Sequence, residues 1–177
     1  MQPGAATQTP SWASQGPPNT LSSPKTREGG RWGLSSSGHF QLHDGEAPVV
    51  TLDPIGARHL SVQLANGRLG SLDYLHHTAS LNLAQARANT EGTMTLVTTA
   101  RDPGVANWLD TAGLHQGSIF VTWQQFPAHL DPRVRGIRDV QLVKLAQLDP
   151  SIAGLISAER REQLTARAVA YARRFAQ

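Results

Sequence analysis

The chain has 177 residues, of which 39% are hydrophobic and 16% are charged, and its formal net charge is +3. That length suits one domain with its own core. The low share of hydrophobic residues predicts that part of the chain is disordered and lowers the average. The absence of cysteine excludes disulfides, thiolate metal sites and cysteine nucleophiles. Because the basic residues are dispersed and no apolar run could cross a bilayer, we expect neither a nucleic-acid partner nor a membrane. The composition indicates a soluble, cytoplasmic protein.

The chain divides into three parts by composition. Residues 1–36 are rich in Pro, Gly, Ser, Thr and Gln, and such a stretch buries too little apolar surface to offset its ordering entropy. It is predicted to be a disordered arm. Residues 37–128 are predicted to form a β-sandwich domain, and residues 129–177 an extension that ends in a helix.

Strand signals recur through the middle part. Residues 59–64 alternate apolar and polar side chains, which predicts a half-buried strand. Asn66-Gly67 then predicts a two-residue hairpin turn, with a return strand over residues 69–74. The β-branched runs at 93–99 and 118–124 are the clearest strands of the chain, and residues 140–145 suit an edge strand.

The C-terminal part carries the helix signal. Ser157 is predicted to cap a helix over about residues 158–175, with Glu159 in the first turn, where the helix dipole favours an acid. An apolar stripe is predicted to dock this helix on the sandwich; its members are Leu164, Ala168, Tyr171 and Phe175. The basic face is expected to be solvated, or alternatively to meet a partner; it comprises Arg160, Arg161, Arg167, Arg173 and Arg174.

The segment Arg101–Gly113 is a long connection between the two clearest strands, and long connections are often functional. In one interpretation Asp102, Asn107, Trp108 and Asp110 form a binding rim, on which Trp108 stacks against a flat ligand such as a sugar face. In the other, Trp108 plugs the end of the sandwich, and the polar side chains cap the turns around it.

The middle part of the chain, including this segment, also resembles a known family. The residues that carry the resemblance are 40–50, 58–64, 71–74, 80–82, 102–113 and the pattern Gly-x-Ile-Phe-Val-Thr-Trp that ends at Trp123. They are similar to the bacterial domain-of-unknown-function 1214 family, over roughly residues 38–127. The resemblance implies a jelly-roll-like β sandwich, placed C-terminally in a longer protein beside a second domain. It implies no established activity. His59 departs from the family, which tends to have an aromatic residue there.

Other candidate groups are weaker. Arg58 and Arg101 could each hold a carboxylate or phosphate of a ligand, or simply pair with a neighbouring acid. The adjacent His76 and His77 would point to opposite faces of a strand, so no metal site is predicted. No cofactor is predicted, because the chain has no glycine-rich phosphate loop.

Three hypotheses of function follow from these residues. The first is a non-catalytic module that binds a small polar ligand or glycan, or packs on a partner domain or a second copy. The second is a hydrolytic enzyme that uses Asp102 and Asp110 with His115 nearby. The third is a truncated piece of a longer two-domain protein without activity of its own.

Overall fold

The computed structural model describes residues 16–26, 33–126, 135–152, 154–155 and 157–173. The protein is mainly β, with two sheets packed as a sandwich and one C-terminal helix, which confirms the predicted fold class. The elements of the described residues are β1 (Thr20–Leu21), β2 (Lys25–Thr26), β3 (Leu34–Gln41), β4 (Glu46–Leu52), β5 (His59–Ala65), β6 (Ser80–Asn82), β7 (Met94–Thr99), β8 (Trp108–Asp110), β9 (Gln116–Gln124), β10 (Ile137–Lys144), a 3₁₀ turn (Leu145–Gln147) and α1 (Ser157–Ala172). Among these elements, no helix is long and apolar enough to cross a membrane.

The first sheet has the strand order β1-β3-β9-β5-β6, and β2 also pairs with β3. All of its pairs are antiparallel. Leu60 lies opposite Trp123, and Val62 lies opposite Val121. The apolar alternation seen in the sequence therefore places one face of this sheet in the core.

The second sheet has the order β10-β4-β7-β8, and the short β8 runs parallel to β7. The long strands β3, β4, β5, β7, β9 and β10 belong alternately to the first and the second sheet, as in jelly rolls. The predicted long connection thus contains a strand of its own, because Trp108, Leu109 and Asp110 pair with Val97, Thr98 and Thr99.

The main core lies between the two sheets and is filled by large apolar side chains such as Phe40, Leu96, Leu109 and Trp123. A smaller cluster of Ala47, Val97, Val105 and Trp108 forms a second buried group. Since side chains alternate along a strand, Val97 and Trp108 point away from Leu96 and Leu109. The second cluster therefore lies on the outer face of the second sheet.

Both predicted domain boundaries change. Within the predicted arm, β1 and β2 pair with β3, and β3 itself begins at Leu34. Disorder is therefore wrong for residues 16–26 and 33–36, while the rest of the arm lies outside the described residues. At the other end β10 pairs with β4 along its length, so the sandwich continues beyond residue 128.

The predicted hairpin at Asn66-Gly67 is also different. The Asn66 amide oxygen accepts hydrogen bonds from the backbone N–H groups of Arg68 and Gly70, both at 2.9 Å. These bonds hold a wider turn, and Leu69 adopts a positive φ of 63° within it. The return strand is reduced to one bridge between Ala65 and Ser71.

The helix is where it was predicted, but its docking face includes two basic residues beside part of the predicted stripe. Glu159 lies in the first turn as expected. Of the predicted stripe, Leu164 and Tyr171 are half-buried and Ala168 is exposed, while Phe175 lies outside the described residues. The buried helix residues are Arg160 and Arg167. The helix thus docks through two arginines that the sequence pattern assigned to the solvated face, together with Tyr171, whose ring centroid lies 5.9 Å from that of Tyr74.

Candidate functional site

Trp108 is a packed side chain rather than an open stacking platform. It is 8% exposed, and its indole Nε1 donates a hydrogen bond to the Thr99 carbonyl at 3.1 Å. Its ring packs against Ala47, Val97 and Val105. It stands on the outer face of the second sheet, under the C-terminal helix, and not at the end of the sandwich as the structural interpretation predicted.

Asn107 connects three parts of the chain. Its Oδ1 accepts the Arg87 N–H at 2.8 Å, and its Nδ2 donates to the carbonyls of Arg87 at 2.8 Å and Thr95 at 3.0 Å. The side chain is 4% exposed. Because all three partners are backbone groups, Asn107 holds the 82–88 segment onto the edge of β7, and its amide is not available to orient a ligand.

Asp102 forms the anchor of the C-terminal helix. Its carboxylate accepts hydrogen bonds from Arg160 Nε at 3.0 Å and from Arg160 Nη2 at 3.4 Å. Its Oδ1 also accepts the Gly104 N–H at 2.8 Å, which fixes the turn that follows. The guanidinium carbon of Arg160 lies 5.1 Å from the ring centroid of Trp108, within cation–π range.

Asp110 is paired with a histidine that sequence reasoning did not connect to it. Its Oδ2 lies 2.7 Å from His77 Nδ1, and its Oδ1 accepts the Ala112 N–H at 2.8 Å. The Asp110 side chain is 9% exposed, against 38% for His77. The pair fastens the turn before β6 to β8.

The other predicted residues lie apart. Arg58, Arg101 and His115 are exposed, and within the described ranges neither arginine has an ion pair. The carboxylates of Asp102 and Asp110 are engaged by different partners, and no described hydrogen bond joins either to His115. The described contacts therefore give Asp102 and Asp110 structural partners and do not link them to His115.

No group of three or more potential metal ligands occurs among the described side chains. His76 and His77 lie on a turn rather than on a strand, so the strand argument made from the sequence does not apply to them. His76 Nδ1 lies 2.7 Å from Asp73 Oδ2, and this contact is the main cause that lowers the pKa of Asp73.

An open groove of about 560 Å³ lies on the outer face of the second sheet, at its β10 side. Its floor is partly apolar and includes Val49, Val143 and Ile152. Its polar lining consists of Thr51, Asn89, Thr90, Glu91, Thr95, Asp139, Gln141, Gln147, Asp149 and Ser151. Three carboxylates and no cationic side chain line it in the part of the chain that the structure describes. We call it the carboxylate groove.

Two of these carboxylates have pKa values below their usual range. A hydrogen bond from the Thr93 hydroxyl is the main cause for Glu91, and the backbone N–H of Ser151 is the main cause for Asp149. Both groups are therefore ionised at neutral pH, and the groove is negative. Asn89 Nδ2 donates to Thr95 Oγ1 at 3.0 Å, and both residues line the groove.

Sequence reasoning missed the pairing of His77 with Asp110, the burial of Arg160 and Arg167, and the carboxylate groove. The groove acids come from a turn, a strand and a second turn, so no local spacing marks them. The adjacent His76-His77 was visible in the sequence, but the partner of His77 is 33 residues away.

No protein-family model matches the chain, and no curated protein matches it. Among solved structures, an uncharacterised protein from Burkholderia cenocepacia is 34% identical with a TM-score of 0.57. That match covers 65% of this chain and 31% of the Burkholderia chain. A protein from Vibrio parahaemolyticus is 18% identical with a TM-score of 0.44, over 62% of this chain and 31% of that one. The chain thus matches about 31% of the length of each protein.

Proposed function

We propose that the protein is a non-catalytic binding module that takes a small organic cation in the carboxylate groove. The observation that carries this proposal is the lining: three carboxylates and several neutral hydrogen-bonding groups surround a partly apolar floor. The volume of about 560 Å³ suits a small ligand, since such sites span roughly 300–1,000 Å³.

The chemistry of the groove selects the charge of the ligand. Carboxylates that are ionised at neutral pH repel anions and attract ammonium groups. The apolar floor of Val49, Val143 and Ile152 suits the aliphatic stem of an amine. The amide oxygens of Asn89 and Gln147 and the hydroxyl oxygens of the groove can accept hydrogen bonds from further N–H groups of the ligand. A linear amine with two or more ammonium groups satisfies both features.

The test is isothermal titration of the full chain with spermidine, compared with glucose and citrate at the same ionic strength. We expect saturable binding of spermidine alone. Glu91→Gln and Asp149→Asn should each weaken it by about two- to fivefold, which is the range of a partly exposed charge pair, and raising the salt should weaken it further.

Asp44→Asn is the matched control, because Asp44 is an exposed acid in the turn between β3 and β4 and does not line the groove. It removes the same formal charge and should leave the affinity unchanged. If Asp44→Asn weakened binding as much as Glu91→Gln, the attraction would be a property of net charge. That result, or no saturable binding, would refute the groove as the site.

A second candidate function is packing on a partner domain. It is favoured by the Burkholderia comparison, in which the matching region makes up 31% of a longer chain. A chimera tests it: this chain replaces the matching part of the Burkholderia protein. One cooperative thermal transition, above that of this chain alone, is expected if the module packs on the remainder. Two independent transitions at the values of the separate parts would contradict it.

We also infer membership of the domain-of-unknown-function 1214 family from the motif residues, chiefly Asn107–Thr111, and placement beside a second domain from the same resemblance. The packing of Asn107 and Trp108 gives this motif a structural role that would apply equally to relatives. A solved member of that family with the same Asn107-type bonds to two neighbouring segments would support the assignment, and a different fold would refute it.

A further inference from the structure

The helix α1 places one arginine in a pocket whose groups are complementary to a guanidinium. Besides the two bonds to Asp102, Arg160 Nη1 donates to the Ala106 carbonyl at 3.3 Å and to Gln163 Oε1 at 2.9 Å, and Nη2 donates to the Val105 carbonyl. The Trp108 ring covers one face of the guanidinium plane. Apart from Gln163, every one of these partners comes from the segment before and within β8. We call this set the Trp108 pocket: Asp102, the carbonyls of Val105 and Ala106, and the Trp108 ring.

The side chains of the Trp108 pocket are held by residues outside α1, although the backbone of Val105 also forms a bridge with Gly154, shortly before the helix. The indole is held by the Thr99 carbonyl and by packing on Val97. Asp102 is held by the Gly104 N–H, and Asn107, between the two, is bonded to backbone on both sides. The pocket should therefore keep its shape when the helix leaves, which is the condition for recognising a second ligand of the same chemistry.

The rest of the α1 attachment consists of the Tyr171–Tyr74 ring contact, a half-exposed Arg87–Glu159 ion pair and one further buried arginine. The second buried side chain, Arg167, reaches the carbonyls of Tyr74 and Ser80 and the amide oxygen of Gln85. Among the described residues it meets no carboxylate, and its Nε has no hydrogen-bond partner. Burial and the nearby charge of Arg160 both lower the pKa of Arg167. A buried cation without a counter-charge opposes docking.

The way into the pocket is also open on one side. The Asp102 side chain is 35% exposed, although Arg160 is only 6% exposed. A competing guanidinium can therefore meet the carboxylate before Arg160 has left it.

We propose that the Trp108 pocket is a guanidinium-recognition site, which Arg160 occupies in cis and from which an arginine of a partner chain or a small guanidinium compound displaces it. An ammonium group does not fit this site, because it is not planar. Only a planar guanidinium can donate hydrogen bonds to a carboxylate and two carbonyls while its face lies against an aromatic ring. The site is separate from the carboxylate groove, because none of its four residues lines that groove.

The first experiment empties the pocket. Arg160→Ala is titrated with ethylguanidinium and with ethylammonium, and binding is followed by two-dimensional NMR of the full chain. We expect ethylguanidinium to bind at least tenfold tighter than ethylammonium, and at least tenfold tighter than it binds the wild type. Adding Asp102→Asn should abolish that preference. Arg160→Lys is the second variant, since it keeps a cation on the helix, and it too should bind ethylguanidinium more tightly than the wild type.

The second experiment tests whether a ligand displaces Arg160 from the pocket, and whether that ligand is a partner arginine or a small molecule. The wild type is titrated with the peptide acetyl-Gly-Arg-Gly-amide, with its Lys counterpart and with free ethylguanidinium. Shifts of the α1 amides toward those of Arg160→Ala, with the Arg peptide and not with the Lys peptide, support a partner arginine. The same shifts with ethylguanidinium alone indicate a small-molecule ligand. If neither moved the α1 signals, or if folded Arg160→Ala did not distinguish guanidinium from ammonium, the proposal would be overturned. Glu91→Gln should leave all of these results unchanged, which separates them from a failure of the groove.

Discussion

Asn107 offers a direct test of the structural interpretation of the Arg101–Gly113 segment. Its buried amide makes three hydrogen bonds, all to backbone groups. A typical hydrogen bond contributes a net free energy of about 1 kcal/mol to stability, and a buried group that loses its partner costs at least as much. Asn107→Ala should therefore lower the free energy of unfolding by about 3 kcal/mol. In a chain of this size that corresponds to a drop in Tm of about 6–12 °C.

The assay is urea denaturation followed by circular dichroism, with Arg101→Ala as the control. Arg101 is exposed in the same segment, and its substitution should change the free energy of unfolding by less than about 0.5 kcal/mol. If Asn107→Ala were as mild as Arg101→Ala, the three bonds would not support the fold, and the amide would again be a candidate ligand group.

Asn107→Asp sharpens the same test through pH. The substitution keeps an acceptor for the Arg87 N–H but turns a carboxylate oxygen toward the carbonyls of Arg87 and Thr95. Those carbonyls disfavour the charged form, so the folded-state pKa of the new acid should be raised. Its destabilisation is then fully present above that pKa and is relieved as the pH falls through it. The difference in unfolding free energy from the wild type, measured at each pH, should shrink toward pH 5; a constant difference would count against this geometry.

Three further predictions concern other parts of the fold. Gly117→Ala should lower the free energy of unfolding by about 1–3 kcal/mol in urea denaturation, because a Cβ there would lie 2.4 Å from a backbone oxygen. Gly45→Ala is the control, because a Cβ at that position has no neighbouring atom within 4 Å. Its positive φ alone should cost about 1 kcal/mol. Trp108→Phe should lower the free energy of unfolding by about 1 kcal/mol, because the indole hydrogen bond to the Thr99 carbonyl is lost while that carbonyl keeps the Thr111 N–H; no change in stability would contradict the buried hydrogen bond. Four acids have lowered pKa values in the folded state, so the stability they contribute is present above their unfolded values and should be lost as the pH falls below about 4; they are Glu46, Asp73, Glu91 and Asp149. Thermal unfolding against pH measures this loss, and Glu91→Gln should reduce it.

The sheet core was predictable because its signal is local. Alternation at residues 59–64 and the β-branched runs of β7 and β9 place apolar side chains on one face whatever the partner strand is. The strands β1 and β2 could not be predicted in this way. Each has two residues, which is too short for any period, and they exist only because β3 offers a free edge.

The docking of α1 shows why a helical pattern can be right about the element and incomplete about its docking face. Leu164, Ala168 and Tyr171 share one side, so periodicity favoured them as the contact. Arg160 and Arg167 are seven residues apart and lie on nearly the same side, and there they find acceptors. Asp102 is 58 residues from Arg160, so the sequence does not reveal the pair, and long basic side chains are ordinarily assigned to solvent.

The outer face of the second sheet explains why the candidate site was misplaced. Thr51 and Thr95 alternate with core residues, so the sequence marks their side as solvent-facing and featureless. In the structure the C-terminal segment crosses that side: Leu145, Leu148 and Ile152 pack onto the second cluster and leave the carboxylate groove beside them. The segment Arg101–Gly113 supplies Trp108 to the covered half of this face and no residue to the open half. A ligand that binds to the open half therefore meets carboxylates and amides from distant parts of the chain, and substitutions at Trp108 should change the stability of the module without changing its affinity for spermidine.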